Sequence, residues 1–382
     1  MKTGIRLVSL LLFGLMAVSA ADILFWYHVE RRPPLPPPRF SVAPHLVWTR
    51  AIDALAVTWT PPMLGTYGAL YVASAAGVHA LDRSGAEIWV YRVDASDPIT
   101  GGALSEDEQG NLYFATAQSL YSLSPFGLKR WQTDCPRAAL AQNAAGNRLE
   151  GDAVYATCEN HFSAFSKNDG RETWRLPNFE AQAPSLTPTA PLILRNGELV
   201  FSRDQQIIAT NKRGSIRWVY PPDNRGAAYA LGSGTDDVIY ARSFSGDLLG
   251  LYFNGSTKWT FHGGPATGFN EPPVRAADGT LYVVAPQGPL FAFAPDARVK
   301  WKFPLPPSTT VVGYSTPVLG ASGAVYQLLE DRVLAISSQG KMLWQLQLPG
   351  EPRHHGFLVL AADGTLYAVM DNSFVHAIGT AN

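Results

Sequence analysis

Residues 79–89 read HALDRSGAEIW: a short apolar run, a polar turn around Gly85, and a tryptophan four residues after the glycine. That tryptophan is one rung of a ladder. Trp48, Trp89, Trp131, Trp174, Trp218, Trp259, Trp301 and Trp344 follow one another at intervals of 41, 42, 43, 44, 41, 42 and 43 residues, and only Trp26 and Trp59 stand off it. Four residues before a ladder tryptophan comes Gly85, Gly127, Gly170, Gly214, Gly255 or Gly340, with Ala297 the one substitute. A glycine there suits a tight turn that needs positive φ. Tyr71, Tyr113, Tyr155, Tyr240, Tyr282 and Tyr326 precede their tryptophans by 18 or 19 residues, and a small residue such as Ala80, Ser122 or Gly250 recurs between.

One unit, PPVRAADGTLYVVAPQGPLFAFAPDARVKWKF (272–303), divides into four short strands separated by turn signals, without a useful helical period. A repeat of 40 to 45 residues with four strands each predicts the blade of a β-propeller. The ladder residues are therefore packing residues, the tryptophans filling the wedge between blades. After Trp344 the chain supplies three more strands, FLVLAADGTLYAVMDNSFVHAIG, while HLVWTRA near the other end is a tryptophan strand lacking its preceding three. Together they make one blade. The expected fold is all-β: an eight-bladed propeller of four-stranded antiparallel blades, closed by the N-terminal strand joining the C-terminal blade, with no open sheet edge left over.

The opening stretch, through Ala80, Asp82, Gly85 and Trp89, resembles the tryptophan-docking motif of pyrroloquinoline-quinone-type repeats, A-x-D-x-x-G-x-x-x-W. It is strict in the first unit, whereas Ser124, Ser166, Asn211, Tyr252, Ala294 and Ser337 replace the aspartate later. No ladder tryptophan is followed by Asp, which disfavours WD40 repeats. The resemblance implies two possible roles. BamB-type outer-membrane assembly factors are non-catalytic propellers of about this length that bind protein. Quinoprotein dehydrogenases hold the quinone and Ca²⁺ on the funnel axis and cover it with adjacent cysteines. Here Cys135 and Cys158 are 23 residues apart. The enzyme family is also longer, with large insertions between blades. The scaffold reading leads, with no cofactor and no catalytic residue expected; a quinoprotein oxidoreductase or funnel-based ligand sensor is the alternative.

Composition points the same way. Hydrophobic residues make up 46% of the 382, charged residues 16%, and the net charge is −1, which gives no electrostatic basis for a nucleic-acid partner or an anionic membrane surface. No H-E-x-x-H, G-x-S-x-G, G-x-G-x-x-G or phosphate-loop motif occurs. At the N-terminus Lys2 and Arg6 precede the apolar run LVSLLLFGLMAV. Residues 1–20 read as a signal peptide cut after Ala20, or residues 5–29 as an uncleaved membrane anchor; Asp22 interrupts the longer span. Both readings export the remainder of the chain to the periplasm or cell envelope, soluble or tethered. Neither cysteine lies near the leader to carry a lipid. A proline-rich linker, 21–39, contains RRPPLPPPRF and favours extended polyproline II. The propeller is expected over 40–382, as a monomer.

In propeller topology, Cys135 in a crossing loop and Cys158 at the end of a second strand fall on one face. Export makes them candidates for a disulfide, though spacing does not settle whether their Cα atoms reach bridging range. SEDEQGN (105–111) reads as a solvated acidic turn. Asn254 in NGS fits either a sequon or a tight turn. The glycine-turn face offers short loops. The opposite face carries the long crossings PNFEAQAPSLTPT (177–189), PPDNRGAAYALGS (221–233), HGGPATGFNEPP (262–273), PLPPSTTVVGYSTP (304–317) and PGEPRHHG (349–356). Arg203, Arg242, Phe244, Glu330, Arg353, His354 and His355 are the candidate partner-binding residues of that rim.

Overall fold

The computed structural model describes residues 44–52, 60–99, 104–143, 149, 151–159, 161–176, 191–203, 206–221, 228–234, 237–243, 245–263, 269, 271–285, 288–306, 316–350, 356–370 and 374–380. The leader, the proline run and Phe40, the expected start of the propeller, lie outside them. Among the described residues every regular element is a strand, and the strands form eight sheets arranged as the blades of a propeller. Blade 1 is Met63–Leu64, Leu70–Ser74, Gly77–Leu81 and Glu87–Arg92, running outward from the axis. Blades 2 to 7 repeat that order. Burial follows it too: all residues of Leu70–Ser74 and Gly77–Leu81 are buried, whereas none of Glu87–Arg92 is.

The recurring spacing of the sequence becomes a transverse row in each blade. Tyr71 stands opposite Ala80, and Ala80 opposite Trp89, across three adjacent strands. Because the middle residue is small, the two rings meet above it, their centroids 5.7 Å apart. Tyr113–Ser122–Trp131 and Tyr282–Ala292–Trp301 repeat the row at the same 5.7 Å. A β-bulge follows the small residue, displacing one residue of the outer strand: Ile88 in blade 1, Arg130 in blade 2.

Most of the ladder tryptophans also reach into the next blade. The ring of Trp89 covers the blade 2 turn at Gly127, and its indole N–H donates to the Pro125 carbonyl at 3.0 Å. Trp48 covers Gly85, Trp131 covers Gly170, Trp174 covers Gly214, Trp218 covers Gly255 and Trp301 covers Gly340. Matching N–H donations run from Trp48 to Arg83 at 2.9 Å, Trp131 to Lys167 at 2.9 Å, Trp218 to Phe253 at 2.7 Å and Trp301 to Ser338 at 2.9 Å. Gly127 is required twice: its φ is +75°, and an added Cβ would stand 2.6 Å from the Trp89 ring. Ala297 keeps the left-handed turn at φ +63° and shares a buried cluster with Trp259.

The ring closes through its ends. Pro44–Ala51 pairs antiparallel with Phe374–Thr380 as the outer strand of blade 8, inside which lie Leu366–Met370 and Gly356–Leu360. The row is completed across the closure: Tyr367 opposes Ala377, Ala377 opposes Trp48, and the two rings lie 5.8 Å apart. One blade departs from the expected four strands. Gln142–Asn143, just beyond the inner strand of blade 3, pairs in parallel with Leu192–Ile193 of blade 4 and makes that sheet five-stranded.

His376 sits in this closing blade, 1% exposed, its Nδ1 sharing a hydrogen bond of 2.9 Å with the Thr49 hydroxyl. Its Nε2 has no partner among the described residues, and burial pulls its pKa down from the ordinary histidine value to about 4.

Two stability measurements test these contacts. Gly127→Ala is expected to lower the free energy of urea unfolding by about 2–4 kcal/mol through strain and overlap. Gly323→Ala has the same left-handed backbone but no atom nearer than 3.7 Å to the new Cβ, and should cost only about 1 kcal/mol. For His376 the unfolded chain binds the proton more tightly than the folded one. Its contribution is therefore complete above the ordinary histidine pKa and lost as pH falls from there toward 4. The loss by pH 4 is expected to approach about 3 kcal/mol, and His376→Gln should flatten that part of the profile.

Candidate partner-binding face

Strand order divides the loops between two faces. First-to-second turns and the glycine turns occupy one; second-to-third turns and the crossings between blades occupy the other. On the crossing face, Arg203 ends the strand Leu199–Arg203 of blade 4. Arg242 lies at the corresponding end of Val238–Ser243 in blade 5, opposite Leu248 on one side and Tyr229 on the other. Glu330 sits in the tight turn of blade 7, closed by the Leu329 N–H donating to the Arg332 carbonyl at 2.8 Å. These positions follow from topology and bring the three residues to one rim. Phe244, Arg353, His354 and His355 lie outside the described residues, as do most of the long crossings.

Beside Glu330, the Asp331 carboxylate accepts two 2.7 Å hydrogen bonds from the Arg332 guanidinium and one of 3.0 Å from the Gln347 side chain. The Arg332 pairing holds the Asp331 pKa down at about 2. This part of the rim is ionised and held in place at any ordinary pH.

Cys135 and Cys158 form a disulfide, with Cα atoms 4.9 Å apart and both residues fully buried. It joins the crossing after the outer strand of blade 2 to the second strand of blade 3. Backbone bonds bracket it: Cys135 N–H to Gln118 O at 2.9 Å and Glu159 N–H to Pro136 O at 2.7 Å. The short crossing between blades 2 and 3 is thereby fixed as a rigid segment of the face.

The acidic turn SEDEQGN differs from its reading as a solvated loop. Glu106 is 4% and Asp107 2% exposed. Glu106 accepts from the Thr66 backbone N–H at 3.0 and 2.8 Å and from its hydroxyl at 2.6 Å, linking blade 1 to the inner strand of blade 2. Asp107 caps its own turn through Gln109 N and Asn111 N and accepts from the Tyr113 hydroxyl at 2.7 Å. The neighbouring blade supplies the burial, and no local pattern announces it. Asn254 is likewise occupied as a turn residue, its Oδ1 accepting from the Ser256 N–H at 3.0 Å and hydroxyl at 2.7 Å.

A residue passed over in the sequence is Glu271, just ahead of the inner strand of blade 6. It accepts from the Thr316 hydroxyl, ahead of the inner strand of blade 7, at 3.0 Å. Dense surroundings raise its pKa through desolvation, against the lowering effect of that bond. Its side chain is half-buried. Glu106 and Glu271 are thus already committed to neighbouring blades. Among the described residues no group of three or more His, Cys, Asp or Glu is placed to hold a metal ion.

Comparison with known proteins agrees with this architecture. The family model described as outer membrane protein assembly factor BamB matches residues 74–230 and 224–382. The curated proteins give no match. Among solved structures, the chain is similar to BamB from Moraxella catarrhalis, with 19% identity, a TM-score of 0.64, and 88% of this chain and 99% of that one covered. It is also similar to quinohemoprotein alcohol dehydrogenase from Comamonas testosteroni, with 14% identity, a TM-score of 0.63, and 91% and 79% covered. Virginiamycin B lyase from Staphylococcus aureus follows at 11% identity, TM-score 0.53, and 89% and 100% covered. At these identities the structural likenesses carry the fold alone, but the family model spans both halves of the ring, and the chain belongs to the family it describes, that of the outer membrane protein assembly factor BamB.

Proposed function

We propose that this chain is an exported, non-catalytic scaffold that binds a protein partner through its crossing face and serves outer-membrane protein assembly in the cell envelope. The observation that carries the reading is the family match over residues 74–382, taken as two spans that together include most of the ring. The crossing face supports it physically. A closed ring positions the ends of second strands, including Arg242 and Glu330, on a rigid rim, which limits the ordering cost of binding.

The quinoprotein alternative requires pyrroloquinoline quinone and Ca²⁺ at the axis, with clustered oxygen ligands for the cation. Two of the described carboxylates count against it. Glu106 and Glu271 are each hydrogen-bonded to a threonine of a neighbouring blade, and the disulfide joins cysteines 23 apart in sequence, unlike the adjacent pair of that enzyme family.

The test is co-purification of the tagged full-length chain from its native membranes in mild detergent, with mass spectrometry of the associated proteins. Barrel-assembly components are expected, and the double substitution Arg242→Glu, Arg353→Glu should reduce their recovery about tenfold or more, equivalent to losing about 1.4 kcal/mol of binding. A folded propeller recovered unaccompanied overturns the proposal.

A further inference from the structure

The residue that the bulge pushes outward, immediately before each ladder tryptophan, is not the same around the ring. Blades 2 to 6 carry Arg130, Thr173, Arg217, Lys258 and Lys300. Blades 7, 8 and 1, which are consecutive across the closure, carry Leu343, Val47 and Ile88, exposed by 53%, 53% and 43%. Met342 beside Leu343 is 54% exposed, and the glycine turn of blade 2 adds Phe126 and Leu128 at 56% and 68%. Exposed apolar residues also occur on blades 4, 5 and 6, but there the bulge position itself is cationic: Ile216 precedes Arg217, Val299 precedes Lys300, and Lys258 lies over the Tyr252 ring at 5.6 Å.

The arc lies at the glycine-turn end of the outer strands. The chain reaches the ring at that same end: Pro44, the first residue of the blade 8 outer strand, pairs with Thr380 at the finish of the neighbouring strand. Blade 8 is the middle of blades 7, 8 and 1. The residues ahead of Pro44 contain the apolar run of 5–29 and the proline-rich linker.

We propose that the glycine-turn rim of blades 7, 8, 1 and 2 rests on a lipid bilayer surface, with residues 5–29 as the tether. The exposed side chains stand on successive blades. Such side chains suit shallow insertion among acyl chains. This orientation goes beyond the scaffold role, and it leaves the crossing face directed away from the membrane and open to partners.

The test uses the full-length chain reconstituted in vesicles of phosphatidylethanolamine and phosphatidylglycerol. The native cysteines are joined and buried, so a polarity-sensitive thiol label takes only an introduced site. Lys341→Cys in blade 7 and Ser215→Cys in blade 4 occupy the same position after their turn glycines. Quenching by lipids carrying a spin label in the acyl chain is expected at 341 and absent at 215. The double substitution Phe126→Asp, Leu128→Asp should cut quenching at 341 about tenfold, while the chain stays folded by circular dichroism. Equal quenching at the two sites, or none at either, overturns the proposal. So does a full-length chain that fails to associate with the vesicles. Shielding of 341 from an aqueous quencher without lipid quenching would assign the arc to another protein or a second copy, and overturns it as well.

Discussion

The ring depends on one recurring contact, the indole of a ladder tryptophan lying across the next blade's turn. The contact is apolar and directional at once. At six of the ladder tryptophans the ring face covers a glycine that has no side chain to displace it, and at five of those the N–H finds a backbone carbonyl of the same turn, as Trp89 does with Pro125. Within its own blade the same tryptophan leans on a tyrosine across a small residue. Each blade is therefore coupled to its neighbour by a residue whose rotamer is already held from behind. Buried aromatic area supplies most of the energy, and the hydrogen bond supplies the angle between successive blades.

This explains why so much of the architecture was legible in the sequence. A seat of this kind favours tryptophan, glycine, a small residue and a large aromatic, at spacings set by strand length, so the requirement is printed in residue types. The closure was legible for the same reason, because Trp48 lacked a preceding trio and the last trio lacked a tryptophan. Ala297 shows the tolerance of the pattern: the backbone keeps positive φ even where a methyl replaces the hydrogen.

What could not be read was whatever a neighbouring blade decides. Glu106 and Asp107 sit in the most hydrophilic stretch of blade 2, yet burial comes from Thr66 and Tyr113, which are remote or on another strand. The parallel pairing of Gln142–Asn143 with blade 4 has no sequence pattern, since two residues make no period. The partner face is harder still. Arg242 and Glu330 are placed by the ends of regular strands, but Phe244 and the Arg353–His355 run belong to segments where no repeat constrains the residue type. Spacing there carries no information about contacts.

The closure has a consequence for the order of events in making this protein. The hydrogen bond between Thr49 and His376 spans 327 residues of chain. During synthesis the first strand of the ring to emerge meets its partner last, after seven other blades have had time to assemble. Until then Pro44–Ala51 and the open flank of blade 1 are unpaired edges, the kind of surface that invites pairing with another chain. The vulnerable interval is set by translation, and it ends only when the final strand arrives. A chain cut short by even its last few residues would keep most of its blades and lose the seam.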